Sequence, residues 1–266
     1  MRFFIELQYN GKNYCGWQRQ PNGITVQEVL ENALNVLFNP NNSAAKLQLY
    51  GCGRTDTGVH AKQFFAHFDI VEQNKSSFLC MPEMQSGVPI LREKSHSEEV
   101  AKLNSFLPSD IAIKRIFPVS DDMHARFSAK SRKYEYRIST QKNPFNSDFA
   151  FQIHYPLDIE KMSLACEIVK EYRDFSAFSK SHSDTVTNNC TIFEAFWTKN
   201  DEEIQFTIQA NRFLRNMVRA IVGTMLNVGR GKVTMNDFHQ IIENKNRSNA
   251  GMSVPAHALS LVEVLY

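Results

Sequence analysis

The sequence lacks any uninterrupted apolar run of about eighteen residues, so nothing in it reads as a membrane-spanning helix. It also lacks a CxxC pair. Its five cysteines, Cys15, Cys52, Cys80, Cys166 and Cys190, are odd in number, far apart and without a His partner at ligand spacing, which argues against a zinc site. Residues 1–9 have neither the apolar stretch nor the small-residue cleavage site of a secretory signal and alternate like a strand instead, so a reducing, cytoplasmic setting without a membrane partner is expected. Excess charge is missing as well. With a net charge of only +2, contact with nucleic acid has to come from local clusters of Lys and Arg. No repeat is visible at the residue level, and no GxGxxG-like loop follows a strand, which counts against a methyl-donor fold using Cys52 or Cys190 as nucleophile.

What is present fits a folded protein. Hydrophobic residues at 42% and charged residues at 22% lie near globular averages, so 266 residues make one large domain or two ordinary ones. The alternating run Phe3-Phe4-Ile5-Glu6-Leu7 reads as a strand, and Thr25-Val26-Gln27-Glu28 opens a helix with the spacing of a capping box. That helix carries Val26, Val29, Leu30, Ala33, Leu34, Leu37 and Phe38 on one face and stops at Asn39-Pro40. Strands over 47–50 and 61–70, a helix over 97–107 and a strand over 111–117 follow; on the second of these strands Phe64, Ala66, Phe68 and Ile70 share a face.

The second half offers the same order, with a strand at 133–139, a helix at 158–172, a hairpin of 191–198 and 203–210, a helix at 215–228, an extra helix near 234–243 and a strand at 260–265. The fold class expected is therefore α+β: two ferredoxin-like, RRM-like β-α-β-β-α-β halves with mixed, mainly antiparallel sheets and a catalytic cleft between them. Pro118-Val119-Ser120-Asp121-Asp122 is the expected boundary, giving domains 1–118 and 119–266, and the polar stretch 72–96 reads as an excursion rather than a linker.

Three segments hold candidate chemistry. Gly51-Cys52-Gly53-Arg54-Thr55-Asp56-Thr57-Gly58-Val59-His60-Ala61 packs three glycines around one basic and one acidic side chain, although a plain turn between strands also explains such glycines. Residues 126–142 hold Arg126, Lys130, Arg132, Lys133, Arg137 and Lys142 against the single acid Glu135. Within them Tyr134, Tyr136 and Ile138 share one strand face and Lys133, Glu135 and Arg137 the other, so a base-stacking tyrosine and a pair of core tyrosines are both open readings. Residues 211–235 contain no acid; at helical spacing Arg212, Arg215 and Arg219 edge the apolar face of Leu214, Met217, Val218, Ile221, Val222 and Met225, placed for solvent, for a carboxylate or for phosphates.

Together the segments resemble the tRNA pseudouridine synthase A family along almost the whole chain. Tyr9-Asn10-Gly11 through Tyr14-Cys15-Gly16-Trp17-Gln18-Arg19-Gln20 resembles its N-terminal signature, and Gly53-Arg54-Thr55-Asp56 with Gly58-Val59-His60-Ala61 its catalytic loop. His124-Ala125-Arg126-Phe127-Ser128-Ala129 with Arg132-Lys133-Tyr134-Glu135-Tyr136, Asp174-Phe175-Ser176-Ala177-Phe178, Met217-Val218-Arg219 with Ile221-Val222-Gly223, and Pro255-Ala256-His257 extend the match. Asn10 stands where the family usually has Asp, Ala258 and Ser260 replace its usual Gly and Tyr, and 72–96 is longer than typical.

The resemblance implies isomerisation of uridine to pseudouridine at positions 38–40 of the tRNA anticodon stem-loop, by a cytoplasmic homodimer without cofactor or metal. It assigns Asp56 as covalent nucleophile, ionised at neutral pH because a free Asp titrates near about 3.9. Arg219 is implied as the partner that orients it, Tyr134 as the residue stacking on the target base, and Arg54 as the side chain filling the space the extruded base leaves. Arg126, Lys133, Arg215 and His60 complete the candidate substrate contacts alongside Tyr134. An RNA-binding protein or chaperone without catalysis is the competing reading, since it needs the basic strips but not Asp56.

Overall fold

The structure, a computed structural model, describes residues 1–38, 46–70, 97–180 and 186–266. The 72–96 excursion and the Asn39-Pro40 helix stop fall outside the described residues. Strand β1 (Arg2–Tyr9) buries Phe3, Phe4, Ile5 and Leu7 in succession, so both of its faces are covered. Helix α1 (Val26–Phe38) begins where the Thr25 hydroxyl accepts the Glu28 amide at 3.3 Å, and it buries Val26, Leu30, Ala33, Leu34 and Phe38.

The strand expected over 47–50 shrinks to β2 (Tyr50–Gly51). Its predecessors bond to side chains of α1 rather than to a neighbouring strand. The Leu47 amide and carbonyl bind Asn35 at 2.9 and 3.1 Å, the Leu49 amide binds Glu31 at 3.0 Å and the Leu49 carbonyl binds Gln27 at 3.0 Å. Gln27, Glu31 and Asn35 are four residues apart, one helix face satisfying a buried extended segment.

Strand β3 (His60–Asp69), helix α2 (Ser97–Phe106) and strand β4 (Ile111–Val119) complete the first set. On β3 the expected face of Phe64, Ala66 and Phe68 is buried, and so are Phe65 and His67 on the other face. Antiparallel pairing gives the strand order β4-β1-β3-β2. The second set comprises β5 (Ser131–Ser139), the two-residue β6 (Phe151–Gln152), α3 (Ile159–Glu171), β7 (Ile192–Lys199), β8 (Glu203–Ala210), α4 (Met217–Gly229), α5 (Met235–Glu243) and β9 (Leu259–Leu265). It pairs antiparallel in the corresponding order β9-β5-β8-β7.

The two sets join. β3 and β9 pair in parallel through His60 with Ser260 and Ala61 with Leu261, making one mixed nine-stranded sheet. β1 occupies one edge of β3, and the other is shared: β2 takes its far end at Tyr50 with His67, β9 its near end. Residues 52–59, which connect β2 to β3, therefore sit at the seam. One buried cluster is built from β1, α1, β3 and β4, the other from β5, α3, β7, β8, α4 and α5; Tyr134 packs against both. Among the described residues no helix is long and apolar enough to cross a membrane.

Candidate active site

The connection at the seam is braced from the N-terminal segment. The Trp17 amide donates to the Thr55 carbonyl at 3.4 Å, the Gly58 amide to the Tyr14 carbonyl at 3.3 Å, and the Thr55 hydroxyl bonds that of Tyr9 at 2.9 Å inside the core. Gly16 has φ of +85°, and a side chain there would place its Cβ 2.4 Å from the Thr55 carbonyl oxygen; Gly58 turns the loop back with φ of +80°. The Tyr14-Cys15-Gly16-Trp17 signature is thus the bed on which Thr55 and Asp56 rest. Asn10 caps the short turn after β1, its side-chain oxygen accepting from the Lys12 amide at 3.0 Å, a task that Asn performs as well as Asp.

Asp56 opens into a cleft of about 1090 Å³ that is also lined by Arg54, Arg126, Tyr134, Arg212, Arg215 and Arg219. Arg219 Nη1 lies 3.3 Å from Asp56 Oδ2, and its Nε donates to the Val254 carbonyl at 2.7 Å. Arg215 Nε is 3.9 Å from Asp56 Oδ1 on an exposed side chain, a weaker and solvent-screened pairing. The arginines are not one helical stripe. α4 starts at Met217 after Asn216, whose φ of 67° is left-handed, so Arg212 and Arg215 lie in the preceding loop and only Arg219 is on the helix. The Asn216 amide is anchored to Ser253, and Leu214 is buried from the loop, which reproduces helical spacing without a helix.

The two tyrosines of β5 separate clearly. Tyr136 is fully buried, with its hydroxyl donating to the Pro255 carbonyl at 3.0 Å. Tyr134 lines the cleft, its ring edge-on to Phe213 with centroids 5.1 Å apart, and its hydroxyl has no hydrogen bond to the described residues. Burial, then the neighbouring Cys52 and Asp56, push the Tyr134 phenol well above its ordinary range, so it stays protonated.

Arg132, not singled out by the sequence reading, is nearly buried and gives its guanidinium to four backbone carbonyls: Ala129 at 2.9 Å, Asn211 at 2.9 Å, Cys52 at 2.8 Å and Arg126. It fastens together the three segments that wall the cleft. Its sequence signals are membership of a run of six basic residues and a place in the block Arg132-Lys133-Tyr134-Glu135-Tyr136, neither of which assigns it a role. Two expected substrate contacts lie elsewhere. His60 is buried off the cleft: Nδ1 accepts from the Gly11 amide at 3.0 Å, and Nε2 bonds the carbonyls of His257 at 2.7 Å and Asp148 at 3.0 Å. Burial lowers its pKa, and the ring is a neutral brace between Gly11 and the turn before β9. Lys133 projects from the opposite strand face to Tyr134 and pairs with Glu194 at 3.2 Å. Cys52 and Cys190 are buried, with thiols pushed up to about 11 chiefly by burial, which keeps both protonated at neutral pH. Among the described residues no group of three or more His, Cys, Asp or Glu side chains is placed to hold a metal ion.

The chain is an α+β protein whose arginine-lined cleft is built round one arginine-held carboxylate. The profile of a family described as tRNA pseudouridine synthase matches residues 7–128 and 172–266. Proteins named tRNA pseudouridine synthase A are similar over the full chain: that of Parabacteroides distasonis is 48% identical over 100% of this chain and 96% of its own length, and that of Bacteroides fragilis 47% over the same shares. The Thermoanaerobacter sp. protein of that name is 37% identical over 98% of each chain. The chain belongs to the tRNA pseudouridine synthase family.

Proposed function

We propose that this protein isomerises uridine to pseudouridine at positions 38–40 of the tRNA anticodon stem-loop, with Asp56 as nucleophile. As a member of its family it is an isomerase acting on tRNA. The observation that carries the Asp56 role is its carboxylate, ion-paired to the tethered Arg219 inside a cleft shared with Tyr134 and further arginines. In the reaction the C1′–N1 bond breaks as an Asp56 oxygen bonds C1′, the base turns, and the Asp56–C1′ bond breaks as C1′ bonds C5, freeing the carboxylate. The C5 proton leaves and N1 gains one, so nothing is consumed. Tyr134 stacks on the target base and Arg219 orients Asp56. Exposed Arg54 enters the vacated stack, and Arg126 and Arg215 meet phosphates.

The two strand orders, β4-β1-β3-β2 and β9-β5-β8-β7, support reading each half as ferredoxin-like, with domains 1–118 and 119–266 meeting at the cleft. A cytoplasmic homodimer completes the reading. Carbodiimide treatment of an unmodified tRNA transcript after incubation, followed by primer extension, tests the site choice: stops at positions 38–40 are expected, and stops confined to other positions contradict it.

A further inference from the structure

Phe127 is 76% exposed, yet the loop that carries it is fixed from several sides. His124 Nδ1 accepts from the amides of Arg126 at 3.0 Å and Phe127 at 3.4 Å, and the Ser128 hydroxyl accepts from the His124 amide at 2.9 Å. His67 Nδ1 accepts from the Ala125 amide at 3.1 Å, and Arg132 holds the carbonyls of Arg126 and Ala129. The His124 ring rests beside that of Phe127, centroids 4.4 Å apart, and the Arg126 guanidinium lies 5.6 Å from the same ring. A side chain left in water by so constrained a loop is presented, not displaced.

Its surroundings name the guest. Phe127 lines the same cleft as Asp56, together with Arg54, Arg126, Lys130 and Arg212. Among the described residues no carboxylate lies within ion-pairing distance of Arg54, Arg126 or Arg212. Burial and then the nearby Arg54, Arg212 and Arg132 hold the Arg126 guanidinium below its ordinary range, a repulsion that a polyanion relieves. An aromatic plane among arginines that no described carboxylate pairs suits a strand whose phosphates need cations and whose unpaired bases need a stacking surface. An apolar protein surface would leave those charges uncompensated.

We propose that Phe127 and Arg126 form a stacking ledge for an unpaired nucleobase of the RNA substrate, apart from the Tyr134 position that takes the target uridine. This rests on the proposed function and adds a second base contact to the same site. The test is binding of an anticodon stem-loop RNA by fluorescence anisotropy, alongside steady-state kinetics, for wild type, Phe127→Ala, Phe127→Leu and Phe127→Trp. Because Phe127 is mostly exposed, thermal midpoints should match wild type. Phe127→Ala and Phe127→Leu should weaken binding by about 5- to 100-fold and raise KM with kcat within about threefold, and Phe127→Trp should restore both. Wild-type affinity in Phe127→Ala overturns the ledge, and wild-type affinity in Phe127→Leu overturns stacking as its basis. Wild type that binds no RNA overturns the ledge and the function together. The expected variant pattern without pseudouridine formation supports the ledge and overturns the reaction alone.

Discussion

Arg219 touches Asp56 with one nitrogen while another is tethered. Nη1 sits 3.3 Å from Asp56 Oδ2, and Nε donates to the Val254 carbonyl at 2.7 Å, with the Val254 amide returning a bond to the Arg219 carbonyl at 3.3 Å. The cation is thereby fixed relative to the carboxylate by backbone rather than by the substrate. In the proposed reaction, a group fixed beforehand would stabilise charge changes at Asp56 without having to reorganise.

Arg219→Lys keeps the charge but cannot hold both contacts in the same plane. It should lower kcat by about 10²- to 10³-fold, the size seen when a preorganised donor is lost, and change RNA affinity by less than about threefold, since other cations line the cleft. Single-turnover kinetics with a binding isotherm separate the two. A raised KM at unchanged kcat would make Arg219 a phosphate contact instead.

Arg132→Lys should be destabilising. One ammonium has three donors, and the guanidinium serves four carbonyls from three chain segments. Each buried carbonyl left without a donor costs about 1–3 kcal/mol, and at least one of the four is left, so a loss of at least about 1 kcal/mol is expected from denaturant midpoints. Stability within about 0.5 kcal/mol of wild type would show that the tie is not what shapes the cleft.

Stability should fall as pH drops from about 6.5 toward 4, in part through His67. Its ring is buried, and burial, followed by His124 and Arg2, lowers its pKa from 6.5 to about 4. The fold binds the neutral ring, whose Nδ1 accepts from the Ala125 amide. The unfolded chain takes up the proton first, so the stability is complete above about 6.5 and declines through that window, by at most about 3 kcal/mol. His60 acts in the same direction, whereas Asp69 and Asp174, whose pKa values lie below 3.8, lose their contributions only at lower pH. His67→Asn offers the same acceptor without the titration. The slope of thermal midpoint against pH should be shallower in this variant, and an unchanged slope would remove His67 from the account.

Much of this was legible in the sequence where local chemistry decides. The apolar spacing of α1, the hairpin expected at 191–198 and 203–210, and the helices expected at 158–172 and 234–243 lie within a residue or two of the elements found. The strand expected over 47–50 is shorter because the backbone groups of Leu47 and Leu49 bond to side chains on α1, a tertiary arrangement that alternation cannot report. Arg215 was assigned to a helix because a left-handed Asn216 interrupts the chain without disturbing the burial rhythm. His60 sits in the segment that resembles the family's catalytic loop, which is the ground for expecting a substrate contact there, but it points into the seam, where its partners come from Gly11, Asp148 and His257. The parallel pairing of His60 and Ala61 with Ser260 and Leu261 joins segments 200 residues apart, and no local pattern encodes it.

If Asp56 breaks and remakes the glycosidic bond of a tRNA uridine, the reaction must expel the hydrogen from C5. Tritium release from tRNA labelled with 5-[³H]-uridine, measured for wild type beside Asp56→Asn, tests it most directly. Wild type should release tritium and Asp56→Asn none above background, with tRNA affinity of the variant within about a few fold. Release by Asp56→Asn at the wild-type rate would contradict the nucleophile, and no release from folded, tRNA-binding wild type would contradict the reaction.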